Sequence, residues 1–245
     1  MKHLYSVILL VFLSVPHIVQ AHEPLFGLGP HTMYKYGIAL ETEFERFDSV
    51  WFNQTEILYG LTADWAVTAA VVNPLQGQNS FSSLSLRTKY RFYRKDRRGA
   101  SNQAAIHAGV FFPNTDKFTT DYFIGLSYGY ESRRHYFFSG LRYRINGTLP
   151  NVSRADLAYG IRPWLLEYMQ PDPVFLLELN GWLRGNADAL PSVTTFLLSL
   201  SPGLLFSYRN VMFKAGIRLP FLYESKRKPP YELILGLEYH FPPIY

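Results

Sequence analysis

Residues 231–241 read Y-E-L-I-L-G-L-E-Y-H-F, and their alternation decides the fold. Tyr231, Leu233, Leu235, Leu237, Tyr239 and Phe241 occupy the odd positions, with Glu232, Gly236, Glu238 and His240 between them. Successive strand residues point to opposite faces, so one face is oily with rings at both ends and the other carries charge. A soluble sandwich would account for one such strand. A greasy outside and a charged inside repeated along a whole chain describe a transmembrane barrel.

The repetition runs through the chain. Near residues 33–46, Tyr34, Tyr36, Ile38, Leu40 and Phe44 alternate with Lys35, Gly37, Glu41, Glu43 and Glu45. Strands near 51–60 and 64–72 are joined by G-L-T-A-D, a tight turn in which Gly60 is available for a positive φ. Further strands are expected near 81–93, 103–112, 121–130, 137–145, 174–184, 194–208 and 211–219, and one near 155–168 with a bulge at Pro163 that shifts the apolar set to Trp164, Leu166 and Tyr168. The charged run 94–102 is expected to leave the bilayer as a loop. These strands make an all-β, transmembrane antiparallel β-barrel of about twelve strands, a closed meander whose even number returns both termini to one side. Outward rings such as Tyr34, Tyr59, Trp65, Tyr90, Tyr128, Phe206 and Tyr239 fall at one level, as an interfacial girdle does.

The start of the chain carries a separate signal. Lys2 and His3 precede an apolar run over residues 4–15, and Val19-Gln20-Ala21 is a small-residue cleavage pattern. That run is well short of the ~20 residues of a spanning helix and reads as a secretory signal peptide. The expected organisation is a signal peptide at 1–21, an N-terminal loop or lumen or periplasmic segment at 22–32, and an outer-membrane barrel at 33–245. Hydrophobic residues make up 48% of the chain and aromatics 17%, which suits a barrel whose lipid-facing residues are diluted at every second position. Cysteine is absent, which excludes a disulfide framework, a thiol nucleophile and a thiolate metal site. A formal charge of +5 is modest and gives no reason to expect nucleic acid; basic side chains spaced through strands suit a lumen or lipopolysaccharide contacts. The expected location is the bacterial outer membrane. The expected partners are its lipid and lipopolysaccharide, small solutes, and the barrel-assembly machinery through the C-terminal strand.

The signal peptide, the L-Y-G-L-T hairpin at residues 58–62 and the aromatic final strand resemble the outer-membrane barrels loosely grouped as transporters, including the family of the MetA pathway of phenol degradation. The resemblance implies a transporter-like barrel. It departs at the end, where Pro242, Pro243, Ile244 and Tyr245 follow Phe241, so Phe241 or Tyr245 is the aromatic for the assembly machinery to read.

Inward positions are the functional surface of a barrel. The basic set is Lys35, Arg87, Lys89, Arg91, Arg142, Arg144, Arg162, Arg184, Lys214 and Arg218; the acidic set is Glu41, Glu43, Glu45, Glu56, Asp64, Asp156, Glu178, Glu232 and Glu238. Acids concentrate on strands twelve, one, two and three, and most bases on four and seven to eleven. Either a transverse field crosses a water-filled lumen, or the charges pair and fill the interior. Cleavage after Ala21 would give His22 an α-amine and an imidazole, and His31 a third nitrogen, a set suited to Cu(II), Ni(II) or Zn(II); otherwise a loop simply contains two histidines. His135 and Ser139 share a strand face, as a lipid hydrolase would need, but no third group orients the histidine. Glu41 and Glu43 suit electrostatic lining better than acid–base catalysis, and no G-x-S-x-G, H-E-x-x-H or phosphate loop occurs. The sequence thus points to a non-enzymatic pore or transporter-like channel for small solutes. The alternatives are a filled structural barrel with metal at the mature N-terminus and, third, a lipid-modifying enzyme.

Overall fold

Alternation closes the chain on itself. In the computed structural model every strand pairs antiparallel with its sequence neighbour, and the first closes on the last, giving a closed twelve-stranded meander. The structure describes residues 23–47, 50–75, 83–113, 119–147, 150–164, 170–185, 195–224 and 229–241; the expected signal peptide, His22 and the residues after Phe241 lie outside these. The strands are β1 (Ile38–Phe47), β2 (Val50–Gly60), β3 (Trp65–Pro74), β4 (Ser83–Arg97), β5 (Ala100–Pro113), β6 (Asp121–Ser132), β7 (His135–Ile145), β8 (Val152–Ile161), β9 (Asp172–Arg184), β10 (Phe196–Tyr208), β11 (Val211–Glu224) and β12 (Glu232–Phe241). The closing seam pairs Ile38 with Phe241 and Phe47 with Glu232.

The polarity is inside out. Leu141 and Leu183 are 60% and 59% exposed on the outer wall, whereas Glu178, Asn180, Ser199 and Ser201 are fully buried inside. An apolar belt that runs nearly all the way round the molecule far exceeds what a protein in water exposes, and lipid is the solvent that tolerates it.

Several boundaries differ from the expectation, each for a local reason. β1 begins at Ile38 rather than near Met33, because the chain turns first: Tyr36 has φ 62°, and the Gly37 N–H donates to the Tyr34 carbonyl at 2.9 Å. Tyr34 is therefore not a wall residue, and Lys35 lines the cavity from the segment before β1 rather than from a strand; its ammonium lies 4.7 Å over the Tyr36 ring. Gly60 does not have a positive φ. Its missing side chain makes room for the Tyr34 carbonyl, which a β-carbon there would strike.

The run 94–102 is not a loop. β4 and β5 continue past the girdle to a tight turn, pairing Arg97 with Ala100, with Gly99 at φ 77°. β8 stops at Ile161, and no bulge forms at Pro163: Arg162 donates the last ladder bond, to the Arg134 carbonyl at 2.9 Å, and Pro163 has no N–H to continue. The register shifts lie elsewhere, between Arg91 and Tyr93 and between Leu198 and Ser199, the latter opposite Pro220.

Candidate functional site: the lumen and the segment that crosses it

Residues 23–34 have no strand period, and they lie inside the barrel as a strap. A non-repetitive segment must still satisfy its backbone donors, and the barrel wall supplies the partners. The buried Glu178 carboxylate accepts from the N–H of Leu25 and, at 3.1 Å, from that of Phe26. The Phe26 carbonyl accepts from Arg154, and the Arg218 guanidinium lies 4.1 Å over the Phe26 ring. The Lys89 ammonium binds both the Glu23 carboxylate and, at 2.7 Å, the His31 carbonyl, closing residues 23–31 into a loop anchored on β4.

The wall is shaped to receive this loop. Leu25 packs in a buried cluster with Tyr136, Phe138, Ala158, Val174, Leu176 and Leu205, side chains that point inward from β7 to β10. Leu28 and Pro30 lie over Gly125 and Gly129, where an added β-carbon would sit 2.7 and 2.8 Å from them. These inward apolar residues escape an alternating pattern, because β7, β9 and β10 carry apolar side chains on both faces. A strand apolar on both faces, beside inward glycines, is the sequence signal for an internal ligand of the wall.

Most lumen charges pair locally. Lys214 reaches both Glu41 and Glu43, Arg87 reaches Glu56, and Arg218 reaches Glu232. Arg91 meets Asp64 and Arg144 meets Asp121, both at 2.7 Å, and Arg162 meets Asp172 at 2.6 Å. Glu238 faces His240 at 2.8 Å and Arg154 faces Asp156 at 2.9 Å. Asp64 belongs to the β2–β3 turn rather than to β3, Arg162 follows β8, and Glu178 is sealed under the strap instead of facing open space. Arg154, Asp121, Glu131, Asp172 and Glu23 complete the network and were not among the residues expected from sequence.

A cavity of about 2250 Å³ remains beside the strap, lined from Gly99 and Arg133 at the terminus end to Asn146 and Arg184 at the opposite end. Glu41, Glu43, Glu45, Glu56 and Glu238 face it from β12, β1 and β2, and Arg142, Arg144, Arg154 and Arg184 from β7, β8 and β9. β1 and β7 stand six strands apart in a ring of twelve, so the acidic and basic walls are opposite. Arg142 and Arg154 are direct cross-strand partners, and Arg144 and Arg184 flank Val152 in the next row. Among the described residues the guanidinium groups of Arg142 and Arg184 have no hydrogen-bonded or ion-paired partner, and like charges directly opposite, such as Arg142 and Arg154, repel.

The other candidates separate. His31 is buried, edge-on to Phe138 at 5.7 Å with its Nε2 3.5 Å from Glu131. Its expected partner His22 lies outside the described residues, and among those residues no group of three metal-ligating side chains comes together. His135 and Ser139 are four residues apart along β7, about 13 Å at strand rise. That is beyond hydrogen-bond reach, and His135 Nδ1 instead meets the Tyr159 hydroxyl at 2.8 Å.

No family model and no curated protein matches this chain. Solved outer-membrane porins do. The chain is similar to the NanC porin in a rhombohedral crystal form, with a TM-score of 0.58 and 10% identity over 82% of this chain and 98% of that one. It is similar to the KdgM porin, with a TM-score of 0.53 and 10% identity over the same shares. A KdgM porin in complex with disordered oligogalacturonate gives a TM-score of 0.54 and 11% identity, again over 82% and 98%. At such identities the likeness is one of fold.

Proposed function

We propose that this chain is a non-enzymatic outer-membrane pore for small solutes, and that its lumen favours anionic ones. The observation that carries the reading is the pair of unpartnered guanidinium groups, Arg142 and Arg184, facing a cavity that runs from rim to rim. Unpaired cations on one wall and carboxylates on the other orient and select charged solutes by field, as narrow polar channels do. The KdgM porin solved with an oligogalacturonate, a polymer of carboxylated sugars, supports the same solute class by fold analogy. Export through a cleaved signal peptide, lipopolysaccharide contacts and recognition of the final strand by assembly machinery belong to the same proposal. So does the finer likeness to barrels of the phenol-degradation type, which rests on sequence pattern alone.

Planar-bilayer recording tests the reading. The folded protein should give discrete conductance steps and an anion-favouring reversal potential in a KCl gradient, and the Arg142→Gln/Arg184→Gln pair should move that potential toward cations. A barrel that folds but gives no conductance removes the pore.

A further inference from the structure

The outer wall is apolar at mid-height nearly all the way round, where Leu126 neighbours Leu141 and Leu157 neighbours Leu179. On β1 and β2 it is not. Thr55 lies four residues from Tyr59 and four from Trp51, two outward rings that mark the ends of the apolar band on β2, so it sits at the middle of the membrane. Thr42 is its direct partner on β1, and Asn53 lies beside both. The Asn53 amide donates to the Thr42 hydroxyl at 3.0 Å and to the Glu43 carbonyl at 3.2 Å, and accepts from the Thr55 hydroxyl at 3.2 Å. Among the described residues the Thr42 hydroxyl has no acceptor of its own, in a zone where hydrocarbon offers none.

The neighbouring strand adds a second feature. The outward residues of β3 between Trp65 and Asn73 are Val67, Ala69 and Val71, all short, so the wall beside the polar group is flat. Short side chains let two membrane walls approach closely, and polar side chains then bond across the contact.

We propose that the outer face of β1–β3 is the interface on which two copies of this chain associate within the membrane. The occupant follows from the chemistry of the patch. Asparagine and threonine each donate and accept, so the patch complements itself across a two-fold axis, as an isologous contact requires. A lipid chain would satisfy none of these groups. The inference needs only the membrane barrel, and it stands whether or not the lumen conducts.

The chain contains no cysteine, so single cysteines report cleanly. Thr55→Cys places a thiol in the patch, and Leu157→Cys places one on β8, six strands away in the ring. In membranes, a short bifunctional maleimide should link Thr55→Cys into dimers faster than Leu157→Cys by about tenfold, the ratio that a preference of about 1.4 kcal/mol gives. Adding Ala69→Trp, a wedge in the flat sector, should abolish that excess while the barrel still shows the heat-shifted electrophoretic mobility of a folded one. Equal linking rates at the two positions, or a rate at Thr55→Cys that the wedge leaves unchanged, would overturn the interface.

Discussion

The Glu178 carboxylate, fully buried in the wall of β9, accepts a 3.1 Å hydrogen bond from the backbone N–H of Phe26, and so ties the strap to the side of the barrel opposite its anchor at Lys89. Its other oxygen takes the Leu25 N–H. One acidic side chain therefore satisfies two successive buried donors that no strand would pair.

Replacing Glu178 by Ala should release the strap. Each buried donor left without a partner costs about 1–3 kcal/mol, which competes with the packing of Leu25 against its cluster. The peptide bonds near residues 25–31 should become open to protease while the barrel stays intact. A strap as resistant as in the unchanged protein would mean that Leu25 packing alone holds it.

Deleting residues 23–31 from the mature chain should raise single-channel conductance, because the strap occupies lumen that the wall glycines Gly125 and Gly129 leave open for it. Conductance unchanged by the deletion would place the narrowest point elsewhere.

Paired and unpaired cations should behave oppositely. Arg87→Gln leaves the buried Glu56 carboxylate with only the Gln54 amide, and because Arg87 is half-buried the loss should fall below the roughly 3–5 kcal/mol of a fully buried broken pair. Arg142→Gln removes a repulsion from Arg154 and should leave thermal stability unchanged or raised. Thermal unfolding followed by electrophoretic mobility distinguishes them, and a similar loss in both would show that Arg142 has an anionic partner after all.

Depth on the outer wall is testable in the same assay. Leu200→Arg puts a charge into hydrocarbon and should cost about 2–4 kcal/mol, while Arg at Thr68, which lines the lumen, should be far milder. Ser199 would be a poor control, since it is inward but fully buried. Equal losses at Leu200 and Thr68 would contradict the assigned faces.

The sequence alone determined the barrel. A period of two is a local property of a strand, so the order of residues in 231–241 already assigns Leu237 to lipid and Glu238 to the lumen, and twelve such stretches with an even count imply closure. It also placed acids and bases on different strands, which closure then set face to face. What it left undecided was every contact between residues far apart in the chain. The Glu23–Lys89 pair, Leu25 under Glu178 and the join of Glu41 and Glu43 to Lys214 depend on which strands stand near one another and on where a segment without periodicity lies. Only the closed ring decided these, because a lumen brings side chains together by diameter and height, neither of which local alternation encodes.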